Sequence, residues 1–211
     1  MLLGLALGIR HAADPDHLAA IAALVARHRS PAAAARIGAA WGLGHSLVIF
    51  AAGGAFVALR ITAVPSWARA AELAVAAILV ALGISNLRSL RADPTVASEL
   101  SKPIGRRPIP GGVLVRPLGI GMAHGLAGSA AVALLALAAM PSPRAALAYL
   151  AVFGVGTVAS MVAMSLGLGV PASRAGDRPA LARWVVAGSG ALSIGVGIYL
   201  ALAVGVASNP L

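Results

Sequence analysis

Cysteine is absent from the 211 residues, which excludes disulfides, thiolate metal sites and thiol relays together. Acid is scarce: six Asp and Glu stand against sixteen Lys and Arg, for a formal net charge of +10. Only 10% of residues are charged and 4% aromatic, whereas 60% are hydrophobic and mean hydropathy is +0.93. That balance is the balance of an integral membrane protein, not of a soluble domain. Basic charge in such excess can signal nucleic acid. Here, however, the basic residues fall between hydrophobic blocks, where the positive-inside rule places them. The expected surroundings are therefore the lipid bilayer, with no nucleic-acid partner. The first apolar segment also lacks a basic n-region, so it reads as a span and not as a cleaved leader.

What is present is a series of long apolar runs. Six spans are expected, at about 1–25, 36–60, 70–88, 114–140, 145–170 and 182–207. Between the third and fourth lies a basic, Pro/Gly-rich linker, 89–113. Of the fifteen Lys and Arg at loops and span ends, twelve fall on one side, among them Arg27, Arg29, Arg36, Lys102, Arg106 and Arg107. Only Arg60, Arg69 and Arg144 fall on the other. The twelve mark the cytoplasm, which places both termini outside it.

The two halves repeat. Gly8 and His11 match Gly121 and His124 at an offset of 113. Trp41-Gly42-Leu43-Gly44 matches Phe153-Gly154-Val155-Gly156 at 112, and Leu82-Gly83-Ile84 matches Val196-Gly197-Ile198 at 114. Three spans per repeat is an odd number, so the second copy must be inverted in the membrane. The expected fold is thus an all-α integral membrane protein of six transmembrane helices in two inverted three-helix repeats, 1–88 and 114–211, joined by the linker. Inverted repeats with interrupted helices are a transporter signature, with the site near the midplane.

Within the first span stands Arg10-His11-Ala12-Ala13-Asp14-Pro15-Asp16-His17. A charge at the centre of a span costs roughly 2.5 to 3.5 kcal/mol on insertion scales, so a cluster of this kind marks a functional site. Imidazole nitrogen and carboxylate oxygen suit borderline divalent transition metals. On an ideal helix His11, Asp14 and His17 share one face and Asp16 points elsewhere. Pro15 cannot complete that helix. Asp14-Pro15 reads as an N-cap followed by Pro at the first helical position, so a kinked or broken helix is expected. Arg10 and Asp14, spaced i,i+4, offer a plainer reading as a neutralising pair. Counting residues from the span ends puts His11, His45 and His124 at one level, roughly 13 to 15 Å deep, with His17 roughly 9 Å nearer the cytoplasm. His28 lies in a loop and is expected to be only solvated.

The octet extended by Leu18 resembles the hallmark of the NiCoT nickel/cobalt transporter family, whose H-x4-D-H core corresponds to His11, Asp16 and His17, with Asp14 as its additional acid. Leu43-Gly44-His45-Ser46 looks like the family's second motif. The chain differs from the usual pattern in three ways. Its histidine motif is in the first span, Pro15 replaces an alanine, and His124-Gly125-Leu126-Ala127-Gly128-Ser129 stands where an acidic motif is expected. These differences resemble the shorter UreH-like branch. The resemblance implies a permease, not an enzyme, for nickel(II) or cobalt(II) as transported ion, with no tightly bound cofactor. The expected metal ligands are His11, Asp14, Asp16, His17, His45 and His124. It also implies metallochaperones, or urease or hydrogenase maturation proteins, as partners. Two other readings compete: a non-transporting metal-delivery subunit, and an acyltransferase using His11 and Asp16 as an H-x4-D dyad.

Overall fold

A computed structural model describes residues 1–28, 30–61, 67–91, 112–174 and 178–207. These residues form seven helices and, among themselves, no strand. They are α1 (Leu2–Ala12), α2 (Pro15–Val25), α3 (Pro31–Leu59), α4 (Trp67–Arg91), α5 (Gly112–Ala139), α6 (Pro143–Arg174) and α7 (Pro179–Ala207). Among the described residues, α3, α4, α6 and α7 contain runs long and apolar enough to cross a membrane. Their outer faces carry Leu43, Leu47, Leu59, Trp184, Tyr199 and Leu202 exposed, as a lipid-facing surface does.

The expected break is found in the first segment. Asp14 is extended, at φ −60° and ψ 146°, and Pro15 opens α2. Without a proline N–H, the carbonyl of His11 accepts from the Asp14 N–H instead, at 3.1 Å. The first expected span is therefore two helices. Four helices, α2, α3, α6 and α7, begin at a proline. Proline fits the first turn because its missing N–H has no intrahelical partner there. This starts α3, α6 and α7 two to five residues before the expected positions. Ser142 caps α6, its Oγ accepting from the Ala145 N–H at 3.3 Å. Helix α4 runs on to Arg91 and α5 begins at Gly112, so the ends of the expected linker are helical. The rest of the linker, with Lys102, Arg106 and Arg107, lies outside the described residues, as does Arg29.

Glycines set the crossings. A methyl group at Gly8 of α1 would run into the Phe153 carbonyl of α6, and one at Gly121 of α5 into the Trp41 carbonyl of α3. Gly156 meets the Leu5 carbonyl, and Gly44 the Leu118 carbonyl. Gly83 and Gly197 bring α4 and α7 together against the carbonyls of Gly190 and Ala76. Close approach of this kind is how helices pack where lipid supplies no hydrophobic drive. The register of these contacts makes α1 parallel to α6 and α3 parallel to α5, while α3 runs antiparallel to α6, and α4 to α7.

Two apolar clusters fill the interior. One gathers Ile21 and Val25 of α2, Ile37 and Trp41 of α3, Leu79 of α4 and Met161 of α6. The other gathers Ile49 and Val57 of α3, Ala136 of α5, and Tyr149, Leu150 and Phe153 of α6. The histidines lie between them.

Candidate metal centre

The break in the first segment delivers two imidazoles to one place. His11 ends α1 and His17 lies in the first turn of α2, and their ring centroids are 4.6 Å apart. The expectation that His17 sits roughly 9 Å deeper is corrected. That spacing assumed one continuous helix, whereas the chain turns at Asp14. The same turn corrects the placement of Asp16, which does not point away: its carboxylate accepts from His17 Nδ1 at 2.9 Å.

His45 joins them from α3. Its Nε2 lies 3.1 Å from His11 Nε2, and its ring centroid is 4.9 Å from that of His17. His11, His17 and His45 each offer a nitrogen such that all three lie within 4.8 Å of one another. His124, from α5, reaches the cluster by its contact with His17, 5.6 Å between centroids. The structure thus brings five of the six expected residues into two overlapping groups, His11–His17–His45 and Asp14–Asp16–His17, with His124 at their side.

The hydrogen bonds assign nitrogens. His11 Nδ1 donates to Asp14 Oδ2 at 3.0 Å, His17 Nδ1 to Asp16, and His124 Nδ1 to the Ile120 carbonyl at 3.1 Å. Each bond fixes the proton on Nδ1 and leaves Nε2 as a lone-pair donor. His17 Nε2, His124 Nε2 and His45 Nδ1 are buried with no hydrogen-bond partner among the described residues. Unpartnered buried nitrogens are uncommon in folded proteins, and the lone pairs of His17 Nε2 and His124 Nε2 are free to meet a metal. Two nitrogens 3.1 Å apart also suit one ion about 2.0–2.1 Å from each, subtending about 95–100°.

Asp14 faces His11 and makes no ion pair with Arg10 among the described residues, so the neutralising-pair reading fails. The H-x4-D dyad fails too, because His11 is paired to Asp14 and Asp16 to His17. His28, in the turn after α2, is half-buried. Burial and the neighbouring Arg27 hold its imidazole below the ordinary histidine range, and it stands apart from the cluster.

Two aromatic residues were not expected at the site. Trp41 is buried with its ring against His17, His124 and His45, and Phe153 is buried with its ring 5.4 Å from His11. Their one trace in the sequence is that they match each other between the repeats.

An all-helical bundle with apolar outer faces and a cluster of imidazoles flanked by carboxylates defines a multi-pass membrane protein with a metal-type polar centre. Residues 1–102 match the model of the NicO family, described as high-affinity nickel-transport protein. The urease accessory protein UreH of Bacillus sp. (strain TB-90) is 32% identical over 174 residues, covering 81% of this chain and 76% of the relative. No solved structure matches the chain. The chain belongs to the nickel/cobalt transporter family, in its short UreH-like branch. That family makes it a transport or accessory protein and not an enzyme.

Proposed function

We propose that the chain is a permease that binds one nickel or cobalt ion near the membrane midplane through the Nε2 atoms of His11, His17 and His45. Asp14 and Asp16 stand behind the first two rings, and His124 joins from α5 in one of the transport states. The observation that carries this is the set of three imidazoles from three helices, with nitrogens within 4.8 Å and two of their Nδ1 atoms held by carboxylates. A carboxylate behind a ligating histidine raises its basicity and fixes its orientation. Two carboxylates also balance the two charges of the ion where the dielectric is low. An all-nitrogen set suits nickel(II) and cobalt(II), and the absence of thiolate disfavours copper(I).

The architecture proposed with it is two inverted repeats, 1–88 and 114–211, across the linker 89–113, with α1 and α2 together making the first crossing. Support comes from the glycine contacts. Gly8 with Phe153 becomes Gly121 with Trp41, and Gly156 with Leu5 becomes Gly44 with Leu118, under the same offsets that align the sequence. The exchanged helices α3 and α6 are antiparallel, as inversion requires. The charge distribution places both termini outside the cytoplasm, and a reporter active only in the cytoplasm should be silent when fused to Leu211. A bright fusion would reverse the orientation.

Uptake needs no further coupling, since a membrane potential of 100 mV drives a dication inward by about 4 to 5 kcal/mol. The test is flux of radioactive nickel into proteoliposomes, with His17→Gln as the control. Saturable flux lost in that variant is expected. The relative's designation as a urease accessory protein favours a second reading, metal delivery to a metallochaperone or to urease or hydrogenase maturation proteins. Nickel binding without flux would select it.

A further inference from the structure

The metal centre proposed above has one buried aromatic ring against it from α3 and one from α6. Trp41 lies one turn before His45 on α3, and Phe153 lies one turn before Thr157, the repeat partner of His45, on α6. Because α3 and α6 are antiparallel, "before" points to opposite ends of the bundle. Trp41 is on the side of the α2–α3 turn and Phe153 on the side of the α5–α6 turn. Neither is shared between the two ends: Trp41 belongs to the apolar cluster with Ile21 and Ile37, and Phe153 to the cluster with Tyr149 and Leu150. Each ring rests on the imidazoles. Trp41 is 5.3 Å from His17 and 5.4 Å from His124, and Phe153 is 5.4 Å from His11, the repeat partner of His124.

We propose that Trp41 and Phe153 are the two gates of the permeation path, and that each opens the metal centre to one face of the membrane. A hydrated dication cannot pass a packed aromatic ring, so one ring must swing aside for the ion to enter and the other for it to leave. The polar atoms left over fit that movement. The Trp41 indole N–H and the Tyr149 hydroxyl beside Phe153 are buried without partners among the described residues. A buried polar group without a partner disfavours the closed state, and it gains one when water follows the opened ring. The backbones beneath both rings pack on glycine, Gly121 under Trp41 and Gly8 under Phe153, so α5 and α1 meet the gates without an intervening side chain.

The absence of native cysteine gives a clean test. His124→Cys puts one thiol in the centre beside Trp41 and leaves His11, His17 and His45 in place. Sealed vesicles of both orientations, identified by labelling single cysteines at His28 or Ser142, are exposed to a charged, membrane-impermeant thiosulfonate. The His124→Cys parent should react slowly from both faces. Adding Trp41→Leu should raise the rate about tenfold from the α2–α3 face alone, and Phe153→Leu by a similar factor from the α5–α6 face alone. Tenfold corresponds to about 1.4 kcal/mol removed from the closed state. Trp41→Phe, which keeps a ring, should act in the same direction but less, and serves if the leucine variant does not fold. Opening of both faces by one variant, opening of the wrong face, or no change in folded variants would overturn the gates. Nickel titration of the protein with His124 intact separates the two claims. A folded protein that binds no nickel would overturn the metal-centre reading, while labelling of the His124→Cys series still reads the gates.

Discussion

An imidazole binds a metal through a nitrogen that carries no proton, so the residue that holds the other nitrogen matters nearly as much as the ring. In this chain the holders are Asp14 for His11 and Asp16 for His17. On the proposed function the two acids are positioning residues, with direct contact to the ion left to nitrogen. The expected consequence is graded. Asp16→Asn keeps an acceptor for His17 Nδ1 but loses its charge, and nickel affinity should fall by about tenfold, while Asp16→Ala should approach the upper end of the about 10- to 100-fold range for such partners. Calorimetric titration in detergent checks this, and wild-type affinity in both variants would remove Asp16 from the centre. The shared face put Asp14 beside His11, as the structure has it, but the pairing His17–Asp16 was not legible beforehand, because face assignment on an ideal helix placed Asp16 elsewhere. The Ile120 carbonyl that holds His124 was invisible for a different reason: a backbone acceptor leaves no mark on residue type.

At the scale of elements, the break at Asp14-Pro15 was legible because proline removes a donor wherever it stands. Its result was not. A break frees the following helix to take any direction, and only packing against α3, α6 and α7 decides that His17 turns back toward His11. Gly128, the repeat partner of Pro15 at the offset of 113, makes no second break: α5 is helical through it. Glycine permits a bend without removing a hydrogen bond, whereas proline removes one. The crossing glycines make a prediction with two signs. Gly121→Ala would press a methyl into the Trp41 carbonyl and should destabilise by about 1–3 kcal/mol. Gly119, two residues away in the same helix, faces open space, and Gly119→Ala should stabilise by about 0.5–1 kcal/mol. Thermal unfolding in detergent should rank Gly119→Ala above wild type and wild type above Gly121→Ala. The reverse order would mean that α3 and α5 do not meet at these positions.

For the whole molecule, the proposed transport rests on the polar cluster between the two apolar clusters. Composition made the membrane legible, and repeat matching paired Trp41 with Phe153, but neither reveals which rings cap the site, since that depends on helices brought together across the linker. The central claim is that imidazoles from α1, α2 and α3 converge on one ion. X-ray absorption of nickel bound to the purified protein counts those ligands directly. The account predicts at least three imidazole nitrogens at about 2.0–2.1 Å, falling by one in His17→Gln. A shell of oxygen ligands alone, unchanged by His17→Gln, would contradict it.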